Sequence, residues 1–137
     1  VNEHAVPYIH EMFMEVWDKM TTLKESGKVK NIGTSNQTQK TMELLLRDTN
    51  EFNRPVYNQM ELHPLFQQKE LVKYLIKNHV VPSGYMSLGF SRRPGRDRFP
   101  EHQADMQHPV IQRIAQETGL TPPQVCLAWA IKGKTTE

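Results

Sequence analysis

A chain of 137 residues with a net charge of +2 is the size of one domain, with enough apolar residues for one core but not for two. So balanced a charge is too near neutrality to imply partners that bind through bulk electrostatics, and neither nucleic acid nor an acidic membrane is expected. The single cysteine, Cys126, excludes an intramolecular disulfide framework and fits a reducing, cytoplasmic setting.

No run approaches the ~18 apolar residues of a membrane span, and no basic-then-apolar leader opens the chain. The first residue is Val1, and Lys132 to Glu137 closes no element, so an internal portion of a longer protein is expected.

Ile9, Met12, Phe13, Val16, Trp17, Met20 and Leu23 recur at helical spacing, with Glu11, Glu15, Asp18 and Lys24 opposite and Gly27 as the stop. Lys28 to Gly33 reads as a short strand. Thr34 to Thr38 is a turn and helix entry, because Ser, Asn and Thr side chains cap orphan N–H groups. The helix that follows puts Met42, Leu44, Leu45 and Leu46 on its apolar side and ends at Asp48-Thr49-Asn50.

A second strand runs from Val56 to about Met60 and continues into Asn58-Gln59-Met60-Glu61-Leu62-His63-Pro64. Gln67 to Asn78 is helical, with Leu71, Val72, Leu75 and Ile76 on one face. A third strand covers Val80 to Met86; Pro82 inside it lacks a ladder donor, so that position should be irregular or unpaired on one side. Ser87 to Gln107 reads as a long loop carrying Arg92, Arg93, Arg96 and Arg98. Pro109 opens a helix stopped by Gly119, and Thr121 with Pro122 starts the last one, reaching about Ile131. Cys126 falls in the apolar run Val125 to Trp129 of that helix and reads as an inert core thiol.

Ile32, Gln59 and Tyr85 recur at nearly equal intervals in this helix–strand–turn–helix pattern. Regular β/α units imply parallel strands with right-handed crossovers, which a doubly wound sheet and a (β/α)8 barrel both satisfy. Polar residues at each strand's C-terminal end favour the barrel.

Those strand ends hold the candidate chemistry. Ser35-Asn36 is either a helix cap or a hydroxyl and amide that together hold another amide. Asn58 and Gln59 alternate across the strand, so only one of them points inward. Tyr85 offers a flat face for a heteroaromatic ring, or else fills a barrel layer. His63 suits a general base, yet nothing in sequence fixes a Ser, Cys or carboxylate beside it. The arginines either neutralise a phosphate or are simply solvated. No G-x-G-x-x-G fingerprint and no Cys/His spacing for zinc is present.

Trp17 to Met20 leading to Gly27-Lys28-Val29-Lys30-Asn31-Ile32-Gly33-Thr34-Ser35-Asn36 resembles the aldo-keto reductases. So do Pro55 to Pro64 and Gly84-Tyr85-Met86-Ser87-Leu88-Gly89, in the same order. The resemblance covers essentially the whole chain, 1–137, as one incomplete barrel domain of about strands 5–7 with flanking helices. It implies a (β/α)8 TIM barrel that transfers a hydride from NADPH to a small-molecule aldehyde or ketone. By that likeness Ser35, Asn36 and Gln59 hold the nicotinamide carboxamide, Tyr85 stacks on the ring, and Leu88 belongs to the loop over the pyrophosphate.

Three positions depart from the family pattern. Met86 replaces a hydroxyl residue, Phe90 stands where a small or polar residue is common, and Pro82 interrupts the strand. The family's catalytic Asp, Tyr, Lys and His are expected upstream, so no catalytic residue is assigned here. Tyr8-Ile9-His10 only superficially resembles the fourth-strand histidine. The chain alone is then expected to lack reductase activity and, with open sheet edges, to self-associate. The rival readings are a non-catalytic or regulatory protein that binds nicotinamide cofactor on the same fold, and a self-standing flavodoxin-like module.

Overall fold

The computed structural model describes residues 7–89 and 105–132. It divides into two compact units, Val1–Asn58 with Leu71–Pro82, and Gln59–Glu70 with Ser83–Glu137. Three parallel strands, β1 (Thr34–Ser35), β2 (Tyr57–Glu61) and β3 (Val81–Tyr85), pair in the order β1-β2-β3. Sequential neighbours lie side by side, as in a barrel wall; a doubly wound sheet reverses strand order at its switch point.

In the first unit, α1 (His10–Glu25) ends in a reciprocal cap. The Gly27 N–H bonds to the Lys24 carbonyl and the Lys28 N–H to the Leu23 carbonyl, with Gly27 left-handed at φ +72. This is the Schellman arrangement, in which glycine adopts the left-handed residue without a Cβ clash. Trp17 and Thr21 are buried, and the Trp17 indole N–H donates to the Asn53 carbonyl at 3.0 Å. The apolar stripe read along α1 is only partly correct, since Met12 is 58% and Val16 59% exposed. At 3.6 residues per turn these two lie roughly a third of a turn round the helix from Trp17. The stripe therefore spans two faces, and the one carrying Phe13, Trp17 and Thr21 turns inward.

The first strand is also displaced from its expected place at Lys28 to Gly33. Lys28 is taken up in closing α1, and the chain joins β2 at Ile32, whose carbonyl accepts from the Val56 N–H at 3.0 Å. Gly33 passes so close under the Tyr57 ring that a Cβ there would overlap it. Strand pairing is sustained only at Thr34–Ser35.

Thr38 caps α2 (Gln39–Arg47) as expected, its hydroxyl accepting from the Thr41 N–H at 3.3 Å. Trp17, Ile32, Met42, Leu45, Leu75 and Val80 are the buried apolar residues of this unit. Helix α3 (Lys69–Lys77) starts two residues later than expected, because Gln67 and Gln68 turn their amides back onto the Pro64 and Glu61 carbonyls. It ends in the same reciprocal cap as α1, but with His79 rather than glycine left-handed at φ +60.

Pro82 sits inside β3, which pairs only with β2 among the described strands. The Val81 N–H bonds to the Val56 carbonyl at 2.9 Å, so alternation aims the donor-less Pro82 nitrogen away from β2. The expectation of a one-sided position is met.

In the second unit a turn of 3-10 helix (Asp105–Gln107) leads into α4 (Pro109–Thr118), capped at its start by the His108 imidazole and at its end by left-handed Gly119. Helix α5 (Pro122–Lys132) opens with a capping box in which Gln124 Oε1 accepts from the Thr121 N–H at 2.8 Å. Ile111, Ala115, Val125 and Cys126 form one buried cluster, with Leu88, Met106 and Ile114 packed against it. Phe90 and Arg92, Arg93, Arg96 and Arg98 lie outside the described residues.

Candidate functional site

The first group of candidate residues follows β1. Thr34 points inward, and its hydroxyl donates to Asn58 Oδ1 at 3.0 Å. Alternation then turns Ser35 outward. Asn36 is left-handed at φ +57, a conformation asparagine tolerates better than other non-glycine residues. Its side-chain amide donates to Ser35 Oγ at 3.0 Å, and both residues are exposed. Hydroxyl and carboxamide are thus held together at the surface on one tight turn.

Asn58 keeps that turn in place. It is 0% exposed. Its Oδ1 accepts from the Thr34 hydroxyl and from the Gln37 N–H at 3.2 Å, and its Nδ2 donates to the Gln37 carbonyl at 3.0 Å. Of the Asn58/Gln59 pair, therefore, Asn58 is the inward residue, committed to the fold, and Gln59 is the exposed one.

The second unit carries Gln59, Tyr85 and Leu88. Gln59 is exposed on β2, whereas Met60 and Leu62 beside it are buried. Tyr85 is half-buried at the end of β3, its carbonyl accepting from the Leu62 N–H at 3.2 Å. Met86, left-handed at φ +54, starts a turn that the Gly89 N–H closes onto the Met86 carbonyl at 2.8 Å. Leu88 lies in this turn and packs against the Ile111 cluster. Ser35 and Asn36 thus belong to one compact unit and Gln59, Tyr85 and Leu88 to the other.

His63 has carboxylates beside it that sequence did not indicate. Its Nδ1 is 2.9 Å from Asp105 Oδ2 and its Nε2 is 3.3 Å from Glu61 Oε1. His63 is 3% and Asp105 2% exposed, so both lie beneath the surface. Asp105 Oδ2 also accepts from the Leu65 N–H at 3.0 Å. Asp105 stands 42 residues from His63 in a stretch with no periodicity, so no local signal marked it.

His10 Nδ1 lies 2.9 Å from the Tyr8 hydroxyl and Nε2 2.8 Å from Asp48 Oδ2, at the junction of α1 with the end of α2. The Arg47 guanidinium, then His10, hold the Asp48 carboxyl well below the usual carboxylate range. Burial pushes the Cys126 thiol up, and the charge of Asp105 adds to this, in keeping with an inert core thiol. Among the described residues no group of three His, Cys, Asp or Glu side chains is arranged to hold a metal. Nor, among the described residues, is any helix long and apolar enough to cross a membrane.

Residues 1–136 match the model of the aldo/keto reductase family. Among curated proteins, the chain is 33% identical over 124 residues to an NADP-dependent D-sorbitol-6-phosphate dehydrogenase of Malus domestica, covering 88% of the chain and 38% of that protein. It is 32% identical over 117 residues to a glycerol 2-dehydrogenase (NADP(+)) of Hypocrea jecorina, covering 85% of the chain and 35% of the relative. Among solved structures, an aldo/keto reductase from Brucella melitensis superposes with a TM-score of 0.76 at 31% identity, over 93% of this chain and 43% of that one. The chain spans about two-fifths of the length of the proteins it matches.

Proposed function

The chain belongs to the aldo/keto reductase family, and from that premise we propose that it supplies the nicotinamide-holding side of an NADPH-dependent reductase of aldehydes and ketones. The observation that carries this reading is the sorting of the two amides on β2. Asn58 is consumed by the fold, while Gln59 stands exposed at the same strand end. A buried amide must find partners within the fold, but an exposed one is available to a ligand.

The residues present fit such a cofactor. A carboxamide has one acceptor and two donors, and the groups suited to bond with it are the Ser35 hydroxyl and Asn36 amide in the first unit and the Gln59 amide in the second. Tyr85 supports the ring by stacking, which leaves one ring face open. Leu88, anchored on the Ile111 cluster, gives the adjoining turn a rigid base. When bound, the cofactor supplies the hydride. The residues of this chain bind and orient it, which is the contribution that proximity makes to rate. Acid catalysis is assigned to groups outside these 137 residues: His63 is buried between carboxylates, and His10 is tied to Tyr8 and Asp48.

Two measurements on the purified chain test this. Titration with NADPH should saturate, and Gln59→Ala or Tyr85→Ala should weaken binding by about tenfold, the value of one or two good contacts. Carbonyl-dependent oxidation of NADPH by the chain alone should not exceed the blank. Absence of saturable binding would overturn the seat, and turnover would overturn the division of labour.

A further inference from the structure

The His63–Asp105 pair is the most fully buried ionisable contact among the described residues, and the proposed function does not use it. All the residues that meet there lie in the second unit. Asp105 opens the 3-10 turn before α4, and its carboxylate contacts two separate stretches of chain. Oδ2 takes the His63 imidazole at 2.9 Å and the Leu65 N–H at 3.0 Å, both just past the end of β2. On its other side lies Gly89, left-handed at φ +69, where an added Cβ would overlap Asp105 Oδ1, Cγ and Cβ. Only glycine lets the turn approach the carboxylate this closely.

The same turn, Met86 to Gly89, follows Tyr85 directly and contains Leu88. The end of β2 is tied back to it by the Leu62 N–H bond to the Tyr85 carbonyl at 3.2 Å. His63 is fixed in addition by Glu61 and by its own two-way backbone bridge with Phe66. Asp105 is therefore a junction. It is hydrogen-bonded to the stretch that follows Gln59 and packed against the turn that follows Tyr85 and contains Leu88, and it is itself buried.

We propose that His63 and Asp105 are positioning residues of the cofactor seat: they touch no ligand, but they set the spacing between the β2 exit and the Tyr85–Gly89 turn. This rests on the reading of Gln59, Tyr85 and Leu88 as cofactor contacts. A seat held in its binding arrangement binds with its intrinsic constant. A seat that spends only a fraction of its time there binds more weakly by that fraction. Buried charge-assisted hydrogen bonds are strong enough, and dear enough to break, to control that fraction.

The test compares the chain with Asp105→Ala, Asp105→Asn and His63→Phe, by NADPH titration and by amide hydrogen exchange without ligand. Alanine removes the Asp105 side-chain bonds to the imidazole and to the Leu65 N–H. Asparagine keeps an acceptor for the Leu65 N–H and the imidazole. Phenylalanine keeps an aromatic ring, somewhat larger than imidazole, and removes its polar contacts with Asp105 and Glu61, so it serves if alanine does not fold. Asp105→Ala and His63→Phe should raise the NADPH dissociation constant about tenfold, as expected if roughly a tenth of molecules keep the seat in order. Asp105→Asn should recover most of the affinity. Exchange should speed up over residues 61–66 and 84–89, while α2 in the other unit stays as in the parent chain. A folded Asp105→Ala or His63→Phe chain that binds NADPH within about twofold of the parent overturns the positioning role alone. Unchanged exchange over 84–89 overturns it as well. Failure of the parent chain to bind NADPH overturns the seat and the positioning role together.

Discussion

Replacing Asn58 by alanine should destabilise the first unit more than its small volume suggests. The hydrogen bonds of Asn58 include those with the Thr34 hydroxyl at 3.0 Å, the Gln37 N–H at 3.2 Å and the Gln37 carbonyl at 3.0 Å. Each net bond contributes about 0.5–1.5 kcal/mol, and a buried group left without a partner costs about 1–3 kcal/mol. Thr34 keeps a second acceptor in the Tyr57 carbonyl at 3.3 Å, and half-buried Gln37 has some access to water. The loss should then total about 3 kcal/mol, near the upper end for a single substitution. Asn58→Leu separates polar from steric causes, since it fills the space but offers no bond and leaves no room for water. Urea unfolding of both variants reads the loss as a shift in midpoint at constant slope. Both should fall by a similar amount, with faster exchange over residues 35–38. A leucine variant as stable as the parent would refute the reasoning, because the site would then need only to be filled.

Three other outcomes are expected. Asp48 is held ionised in the fold, so its folded pKa is depressed; its stabilisation is present above the unfolded value and is lost as pH falls towards the folded one. Urea midpoints from about pH 5 down to about pH 2 should accordingly fall less steeply in Asp48→Asn than in the parent, and identical slopes would contradict the pairing with Arg47 and His10. His79→Gly should stabilise by about 0.5–1 kcal/mol, since it relieves a left-handed histidine and keeps the backbone cap; an unchanged melting temperature would show that the position is unstrained. Light scattering should find the isolated chain self-associated through its strand edges, and a sharp monomer peak with cooperative melting would count against this.

Features that depend on near neighbours in the chain are legible in the sequence alone. Gly27 and Gly119 close helices because a residue without Cβ accepts the left-handed backbone, and Thr38 and Thr121 open them as N-caps. The even spacing of Ile32, Gln59 and Tyr85 implies parallel β/α units, and the strands do pair in sequential order. Features that depend on distant packing are not legible there. The inward face of α1 is chosen by what Trp17 meets at Asn53, not by the stripe itself. The first strand is moved by the helix cap before it and the Tyr57 ring over Gly33. In the site, alternation requires that one of Asn58 and Gln59 faces inward, but only the Gln37 contacts identify which. Asp105 leaves no trace in the sequence because a lone aspartate in a polar stretch carries no period, and its partner lies far away in the chain. That partner, His63, is buried with it.

Chemical-shift mapping on the isotope-labelled chain, titrated with NADPH, tests the cofactor seat most directly. Ser35, Asn36, the Gln59 side-chain amide, Tyr85 and Leu88 should shift together along one saturable curve, while the Asn58 side-chain amide keeps its position. Shifts that fail to saturate, or that cluster on other residues and leave Gln59 and Tyr85 unmoved, would contradict the assignment.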